Sequence, residues 1–259
     1  MEAQQREIAD DLARDGFAIV RGVFDTGEVA ALSCAADALL ARLRGLPPGE
    51  HVVDGAVVVI APTGGVARVV WAAAADPAID TVSRDPRLLA LATLALGGRE
   101  FDQLIAQLHP KIGGDDVDFD WHQDAVHRRY GSDEWTDVGG NGSYLQCLVA
   151  IDACTPDNGP LLLVEGSHLQ GPLPHRSDRT LDASVLAGRR PTPALLAPGD
   201  VAIFGPYVIH GSVPNTSAGS RRVLVSGFAL PGANRRVYPG QGAGRRVVGP
   251  AAPVGRRSA

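Results

Sequence analysis

The alternation of apolar and polar positions predicts a helix, a strand and a second helix at the start of the chain. Residues 1–15 are polar and predict a helix, and the β-branched run at 16–24 predicts a strand. Asp25 and Glu28 have the spacing of a capping box, which marks a helix N-terminus. Apolar residues then recur at helical spacing, so this second helix is expected to continue to about Arg44.

The pattern changes along the rest of the chain from mixed elements to strands. A hairpin is predicted at 51–62, and a helix at 84–97. From residue 101 onward, short apolar runs alternate with clusters of Gly, Pro, Asn and Asp, without helical patterns between them. Strands at this spacing are typical of a sandwich or barrel. The predicted fold class is mainly β with flanking α-helices, around a double-stranded β-helix core of the jelly-roll, cupin-like kind.

The predicted organisation is one domain over residues 1–232, followed by a tail. Within the domain, N-terminal helices (1–99) are expected to pack on the jelly-roll core (100–232). Residues 233–259 are rich in Gly, Pro and Arg and contain no acidic residue. This basic tail is therefore expected to be disordered or loosely packed.

Composition indicates a globular protein, and charge argues against a nucleic-acid-binding one. The formal net charge is −5, which gives no general attraction to nucleic acid. No apolar stretch approaches the length of a membrane span, and the polar N-terminus does not resemble a signal peptide. Cys34, Cys147 and Cys154 have no metal-binding or disulfide spacing and are interpreted as reduced thiols. We expect a cytoplasmic location; the sequence does not indicate an oligomeric state.

His122 and Asp124 form an HxD motif, the first candidate for chemistry. On an extended segment, residues two apart project from the same face, so an imidazole and a carboxylate can reach one ion. A further imidazole would complete a set of two His and one carboxylate, which suits Fe(II) and leaves coordination positions open. The motif alone is common, and a surface His–Asp pair is the alternative.

His210 and Arg221 flank a turn-rich loop between two apolar runs in the last part of the predicted core. Across such a hairpin, an arginine can lie near a metal pocket, where its planar fork suits a carboxylate. A dicarboxylate that chelates iron at one end needs this grip at the other. A core histidine and a surface arginine are the alternative interpretation.

Three segments together resemble the phytanoyl-CoA dioxygenase family of Fe(II)/2-oxoglutarate-dependent oxygenases. They are WHQD (121–124), TPDNGPLLLVEGSH (155–168) and HGSVPNTSAGSRR (210–222), in the family's order and spacing. DGFAIVRGVF (15–24) is similar to the family's opening strand, so the resemblance covers most of the chain.

The resemblance implies a role for each matched residue. It makes His122, Asp124 and His210 the catalytic iron ligands. It makes Arg221 the residue that binds the distal carboxylate of 2-oxoglutarate, and Ser212 its assistant.

Further cosubstrate contacts follow from the same resemblance. HPKIGG (109–114) is similar to a family segment whose lysine lies near 2-oxoglutarate, and Lys111 is the only lysine of this chain. A plain surface lysine is the alternative. Leu148 stands where some members have an aromatic residue, so Gln107 and Gln146 are predicted to supply replacement polar contacts.

The segment after the HxD motif is predicted to be a lid. It runs from His127 to about Asn141 and begins with Arg128 and Arg129, which could meet an anionic substrate. A solvated loop face is the alternative.

The resemblance and the residues together predict a dioxygenase that uses Fe(II), 2-oxoglutarate and O2. It is expected to hydroxylate an unactivated C–H of a small metabolite, such as an intermediate of secondary metabolism, with release of succinate and CO2. Two alternatives are a jelly-roll metalloenzyme that does not use 2-oxoglutarate and a non-catalytic, small-molecule-binding cupin. Arg221 and Ser212 argue against both, since neither needs that pair.

Overall fold

A computed structural model describes residues 2–238 and 244–250. The helices are α1 (Glu2–Asp15), α2 (Thr26–Arg42), α3 (Ala72–Ala75), α4 (Pro77–Ser83), α5 (Pro86–Leu96) and α6 (Asp124–His127), with short 3-10 helices at Ser167–Gln170 and Ala183–Leu186. The strands are β1 (Phe17–Val20), β2 (Gly49–Val53), β3 (Ala56–Ile60), β4 (Val66–Val70), β5 (Glu100–Ile112), β6 (Phe119–His122), β7 (Tyr144–Ala150), β8 (Leu162–Leu163), β9 (Thr192–Pro193), β10 (Val201–Phe204), β11 (His210–Ser212), β12 (Ser220–Ala229) and β13 (Arg245–Val248).

These strands form two antiparallel sheets. The major sheet has the order β1-β10-β7-β12-β5-β4-β3-β2, with β13 also paired to β5. The minor sheet has the order β6-β11-β8-β9. From β5 to β12, successive strands alternate between the two sheets except at β8 and β9, which are neighbours in the minor sheet. This is the order of the predicted jelly-roll core.

The start of α2 shows why local sequence determines the first elements. The Asp25 side chain accepts a hydrogen bond of 2.9 Å from the backbone N–H of Glu28. In return, the Glu28 carboxylate accepts one of 2.9 Å from the backbone N–H of Asp25. This reciprocal pair satisfies two free N–H groups, and a cap of this type contributes about 1 kcal/mol to helix stability. The predicted capping box is confirmed.

The major sheet buries apolar side chains on both faces. Alternate residues of a strand project to opposite sides, so β12 supplies Leu224 to the cluster that also contains Leu39 and Leu88 of the helices. Val223 and Val225 belong to a second cluster on the other face. Helices therefore cover one face of the sheet, and the minor sheet and connecting loops cover the other.

The first 99 residues contribute strands as well as helices. β1 pairs with β10 at one end of the major sheet, and β4 carries the β2–β3 hairpin at the other end. The strand predicted at 16–24 corresponds to β1 and the hairpin predicted at 51–62 to β2 and β3, whereas β4 was not predicted. None of the helices in the described part of the chain is long and apolar enough to cross a membrane.

The end of the chain differs from the loosely packed tail predicted from composition. Residues 245–248 form β13, which pairs with β5 from Glu100 to Gln103. Arg246 donates to Asp102 at 2.7 Å, and Arg245 lies 2.5 Å from an oxygen of Asp80. The prediction of a loose tail is wrong for this strand, because long-range pairing orders it. Arg256 and Arg257 lie outside the described residues.

Candidate metal centre and its cavity

Three potential metal ligands converge between the sheets. His122 ends β6, Asp124 begins α6 and His210 begins β11. β6 and β11 are antiparallel neighbours with His122 opposite His210. Gln123 keeps extended backbone angles, so His122 and Asp124 project to the same side. One ligand atom of each of the three residues lies within 4.8 Å of the others.

Backbone carbonyls orient both imidazole rings. His122 Nδ1 lies 2.6 Å from the Asp120 carbonyl oxygen, and His210 Nδ1 lies 2.9 Å from that of Val208. A carbonyl only accepts hydrogen bonds, so each Nδ1 carries the proton and donates it. Each Nε2 then keeps a lone pair, as a metal ligand requires.

Asp124 is a buried carboxylate with one side-chain hydrogen-bond donor. It is 3% exposed, and Gln146 Nε2 donates to its Oδ2. Burial raises the pKa of Asp124, whereas His210 and Arg128 nearby lower it. A buried carboxylate is costly without a cation in direct contact, and Asp124 forms no ion pair with a cationic side chain in the described part of the chain. The donor set therefore fits a divalent cation, and its composition suits Fe(II) with open positions.

Arg221, predicted to bind 2-oxoglutarate, lines the same cavity as the three ligands. It is 4% exposed, so the alternative of a surface arginine is wrong. Its Nε and Nη2 donate to the Gly159 carbonyl oxygen at 3.1 and 2.6 Å, which fixes the plane of the guanidinium. Burial lowers the pKa of Arg221 to about 10. Arg221 still carries its charge at neutral pH, and it forms no ion pair with any carboxylate among the described residues.

Lys111 lies behind Ser212 and is not among the residues that line the cavity. It is 1% exposed, so the surface-lysine alternative is also wrong. Its Nζ donates to Ser212 Oγ at 2.7 Å and to the Val213 carbonyl oxygen at 2.5 Å. Ser212 itself lines the cavity, together with Arg221.

Gln107 and Gln146 both line the cavity, but they have different partners. Gln146 bonds to the Asp124 carboxylate, which associates it with the metal ligands. Gln107 Oε1 lies 2.8 Å from Nε2 of His109, which is two residues along the same strand, β5. Leu148 lies two residues from Gln146 on β7 and, like Gln107, is opposite Val225 of β12; its apolar side chain lines the cavity.

The cavity has a volume of about 810 Å³ and contains residues that sequence reasoning did not assign. Arg68, Arg179, Arg236 and Tyr238 line it in addition to the predicted loop residue Arg128. Arg236 and Tyr238 belong to the segment predicted to be a tail, and no sequence motif marks them. Their position depends on the bridge between Trp135 and Asn234, a long-range pairing.

The predicted lid loop separates its two adjacent arginines. Arg128 is 6% exposed and lines the cavity, whereas Arg129 is exposed and lies 3.6 Å from Glu134. The loop turns at this point because Arg129 has a positive φ of 61°. Only Arg128 can therefore meet a molecule in the cavity.

Comparisons with known proteins agree with this geometry. The family model for phytanoyl-CoA dioxygenase (PhyH) matches residues 12–223. Ectoine dioxygenase from Bordetella bronchiseptica is 30% identical over 161 residues, 61% of this chain and 47% of that protein. The crystal structure of EctD from S. alaskensis with 2-oxoglutarate and 5-hydroxyectoine is 25% identical, with a TM-score of 0.70 over 87% of this chain and 75% of that chain.

A further solved structure extends the likeness to almost the whole of another protein. AviO1 from Streptomyces viridochromogenes is 26% identical, with a TM-score of 0.65, and the match covers 88% of this chain and 96% of that one. The chain spans between 32% and 50% of the length of the curated relatives it matches. Because the family model covers most of the chain, this protein belongs to the phytanoyl-CoA dioxygenase family.

Proposed function

We propose that this chain is an Fe(II)- and 2-oxoglutarate-dependent dioxygenase that hydroxylates an unactivated C–H bond of a small molecule, with release of succinate and CO2. One observation carries the proposal: His122, Asp124 and His210 share a cavity with a buried arginine, Arg221, that has no carboxylate partner among the described residues. Iron(II) and 2-oxoglutarate, when bound with O2, supply an oxidant for an otherwise inert C–H bond.

The residues of the chain bind and orient these groups. The Asp120 and Val208 carbonyls keep both imidazole rings turned with Nε2 toward the ion. Arg221 binds the far carboxylate of 2-oxoglutarate. The Gly159 carbonyl oxygen holds the guanidinium of Arg221 in place before the cosubstrate arrives. A pre-oriented donor loses little conformational entropy on binding.

Apolar side chains exclude water from the space between the metal ligands and Arg221. Leu148, Val223, Val225 and Phe204 line this part of the cavity. In such surroundings the attraction between a guanidinium and a carboxylate is stronger than in water. The residues thus favour a dicarboxylate that reaches from Arg221 to the metal.

The size of the cavity supports a small-molecule substrate. A volume of about 810 Å³ is within the range of small-molecule sites, which is roughly 300–1,000 Å³. The Bordetella bronchiseptica relative is named for the small molecule ectoine. A cytoplasmic location is part of the proposal, supported by the free thiols of Cys34, Cys147 and Cys154.

Anaerobic titration of the protein with Fe(II) and then 2-oxoglutarate tests the proposal. We expect the weak visible charge-transfer band of the chelated cosubstrate, and its loss at the same 2-oxoglutarate concentration in Arg221→Ala. Arg246→Ala is the matched control, because Arg246 lies far along β13 and pairs with Asp102. Iron binding without the band would instead favour a metalloenzyme that does not use 2-oxoglutarate or a non-catalytic binding protein.

A further inference from the structure

Four arginines besides Arg221 line the cavity without a carboxylate partner. They are Arg68, Arg128, Arg179 and Arg236. Within residues 2–238 and 244–250, every ion pair involves other cationic side chains. Nine of the other 16 arginines in the described residues form an ion pair, whereas none of the five arginines that line the cavity does.

Arg128 is the most deeply buried of the four. Its guanidinium carbon lies 5.1 Å from the ring centroid of Tyr144 and 4.9 Å from that of Tyr238. Nε and Nη1 of Arg128 have no hydrogen-bond partner in the described structure, and neither do the hydroxyls of Tyr144 and Tyr238. Rings can stabilise the faces of a guanidinium, but its N–H groups need acceptors. A buried cation with unsatisfied donors is costly unless an anion binds it.

Arg179 and Arg236 add positive charge beside Arg128. Burial lowers the pKa of Arg236, and the proximity of Arg128, Arg129 and Arg179 lowers it further. Arg236 Nη1 donates to the His127 carbonyl oxygen at 2.6 Å, which holds its side chain at the α6 end of the cavity. The like charges therefore converge on one side of the cavity.

The positive patch formed by Arg128, Arg179 and Arg236 adjoins the metal ligands. The rings of His127 and His122 are 5.2 Å apart, edge to face. Burial lowers the pKa of His127 to about 3, and Arg128 and Arg179 nearby contribute to this. The positive charge of the patch comes from its three arginines.

The patch is separate from Arg221. Tyr144, which packs on Arg128, pairs with Ala229 on β12. Ala229 is eight residues along β12 from Arg221, a strand distance of roughly 26 Å. Gln146, which bonds the Asp124 carboxylate, pairs with Gly227 between these two points. The metal ligands therefore lie between Arg221 and the patch.

Acidic residues do not neutralise the patch from inside. Apart from Asp124, the acidic lining residues are Glu50, Asp118, Asp120 and Asp178. All four are exposed, so they lie at the rim. Asp178 also accepts hydrogen bonds from the backbone and hydroxyl of Thr180. The interior beside the metal ligands keeps its positive charge.

We infer that the substrate is an oxyanion, a small molecule with a carboxylate or phosphoryl group that binds between Arg128, Arg179 and Arg236. This inference rests on the proposed function, because it names the substrate class for the same metal centre. The oxyanion satisfies the free donors of Arg128 and fixes the molecule with a C–H bond toward the metal. Arg236 and Tyr238 follow the family match at 12–223, so the selecting groups include residues beyond it.

Calorimetric titration with small anions tests the inference. The protein is first saturated anaerobically with Fe(II) and 2-oxoglutarate, so that Arg221 is occupied. Acetate and methylphosphonate are the charged probes, and acetamide is the neutral counterpart of acetate. We expect both anions to bind and acetamide not to bind, and the tighter anion identifies whether the group is a carboxylate or phosphoryl.

Variants at partly exposed positions keep the test independent of folding. Arg236→Gln and Arg179→Gln should each weaken anion binding about tenfold, the effect of losing one charge-assisted hydrogen bond. Arg246→Gln is the matched control, because Arg246 is exposed, pairs with Asp102 and lies outside the cavity. Equal binding of acetamide, or unchanged anion binding in both cavity variants, would overturn the inference.

Two experiments together separate the two proposals: the anion titration repeated on metal-free protein without 2-oxoglutarate, and the earlier titration with Fe(II) and 2-oxoglutarate. If the second experiment never gives the cosubstrate band but anion binding to the metal-free protein still depends on Arg236, the proposed function fails and the oxyanion site stands. If the band forms normally and anion binding is insensitive to both variants, only the oxyanion site fails.

Discussion

Lys111, the only lysine of the chain, donates a 2.7 Å hydrogen bond from its Nζ to Ser212 Oγ, and Ser212 lines the cavity. An ammonium group has only donors, so Ser212 must accept this bond. The Ser212 hydroxyl is then free to donate its own proton to an acceptor in the cavity, close to Arg221. We therefore propose that Lys111, which the family resemblance predicts to lie near 2-oxoglutarate, positions Ser212.

Ser212→Ala tests the contribution of this hydroxyl. Losing one hydrogen bond to a carboxylate should raise the dissociation constant of 2-oxoglutarate about tenfold. Anaerobic titration of the cosubstrate band measures it. Ser226→Ala is the matched control, since Ser226 of β12 is buried like Ser212 but does not line the cavity. An unchanged dissociation constant in Ser212→Ala would remove Ser212 from the cosubstrate site.

Lys111→Met should stabilise the protein more at pH 6 than at pH 9, relative to the wild type. Burial, followed by the charge of Arg221, lowers the pKa of Lys111 from 10.5 to about 7. The unfolded chain therefore binds the Lys111 proton more tightly than the folded protein does. The resulting destabilisation of the fold is fully present below about pH 7, and it decreases as the pH rises from 7 to 10.5. The difference in Tm between variant and wild type, measured at both pH values, reports this linkage. Equal differences at the two pH values would contradict the lowered pKa.

Gln146→Leu should weaken metal binding because Gln146 is the side-chain donor to the Asp124 carboxylate. Loss of such an outer partner reduces metal affinity by about 10–100-fold. Competition with a chelator of known affinity measures the change for Fe(II) under anaerobic conditions. Gln107→Leu is the control, because Gln107 lines the same cavity but bonds to His109. Similar losses in both variants would indicate a general effect on the cavity.

Arg222→Ala should destabilise the fold strongly. The Arg222 side chain is 9% exposed and donates to both oxygens of Asp152 and to Asp37. Its removal leaves the half-buried Asp152 without its cation, which costs about 3 kcal/mol. Arg246→Ala, at an exposed pair with Asp102, should cost about 1 kcal/mol or less. Urea denaturation gives both free energies of unfolding, and equal costs would contradict the buried network.

Local signals predicted some elements of the fold well. The capping box of Asp25 and Glu28 depends on residues three apart, so the sequence contains all the information for it. The pairing of β13 with β5 joins residues more than 140 positions apart in the chain, and composition alone suggested a loose tail there. Tertiary pairing therefore decided the structure of a segment that has no strong local preference.

The candidate site shows the same division. The spacing of His122 and Asp124 predicted a shared direction, but only the family resemblance connected them with His210 and Arg221. The opposite environments of Arg128 and Arg129 depend on a single positive φ, which the sequence of a polar loop does not determine. Arg236 reaches the cavity only because a distant bridge positions its segment.

The residues of the metal and cosubstrate site and the arginines of the positive patch belong to different parts of the fold. His210, Ser212 and Arg221 belong to strands whose ladders fix their positions. Arg128, Arg179 and Arg236 follow or lie between strands, on connecting segments of the surface. Loops tolerate replacement better than the ladders they join. Ligand preference in this scaffold could therefore diversify by exchange of three connecting segments, while the reaction centre is inherited unchanged.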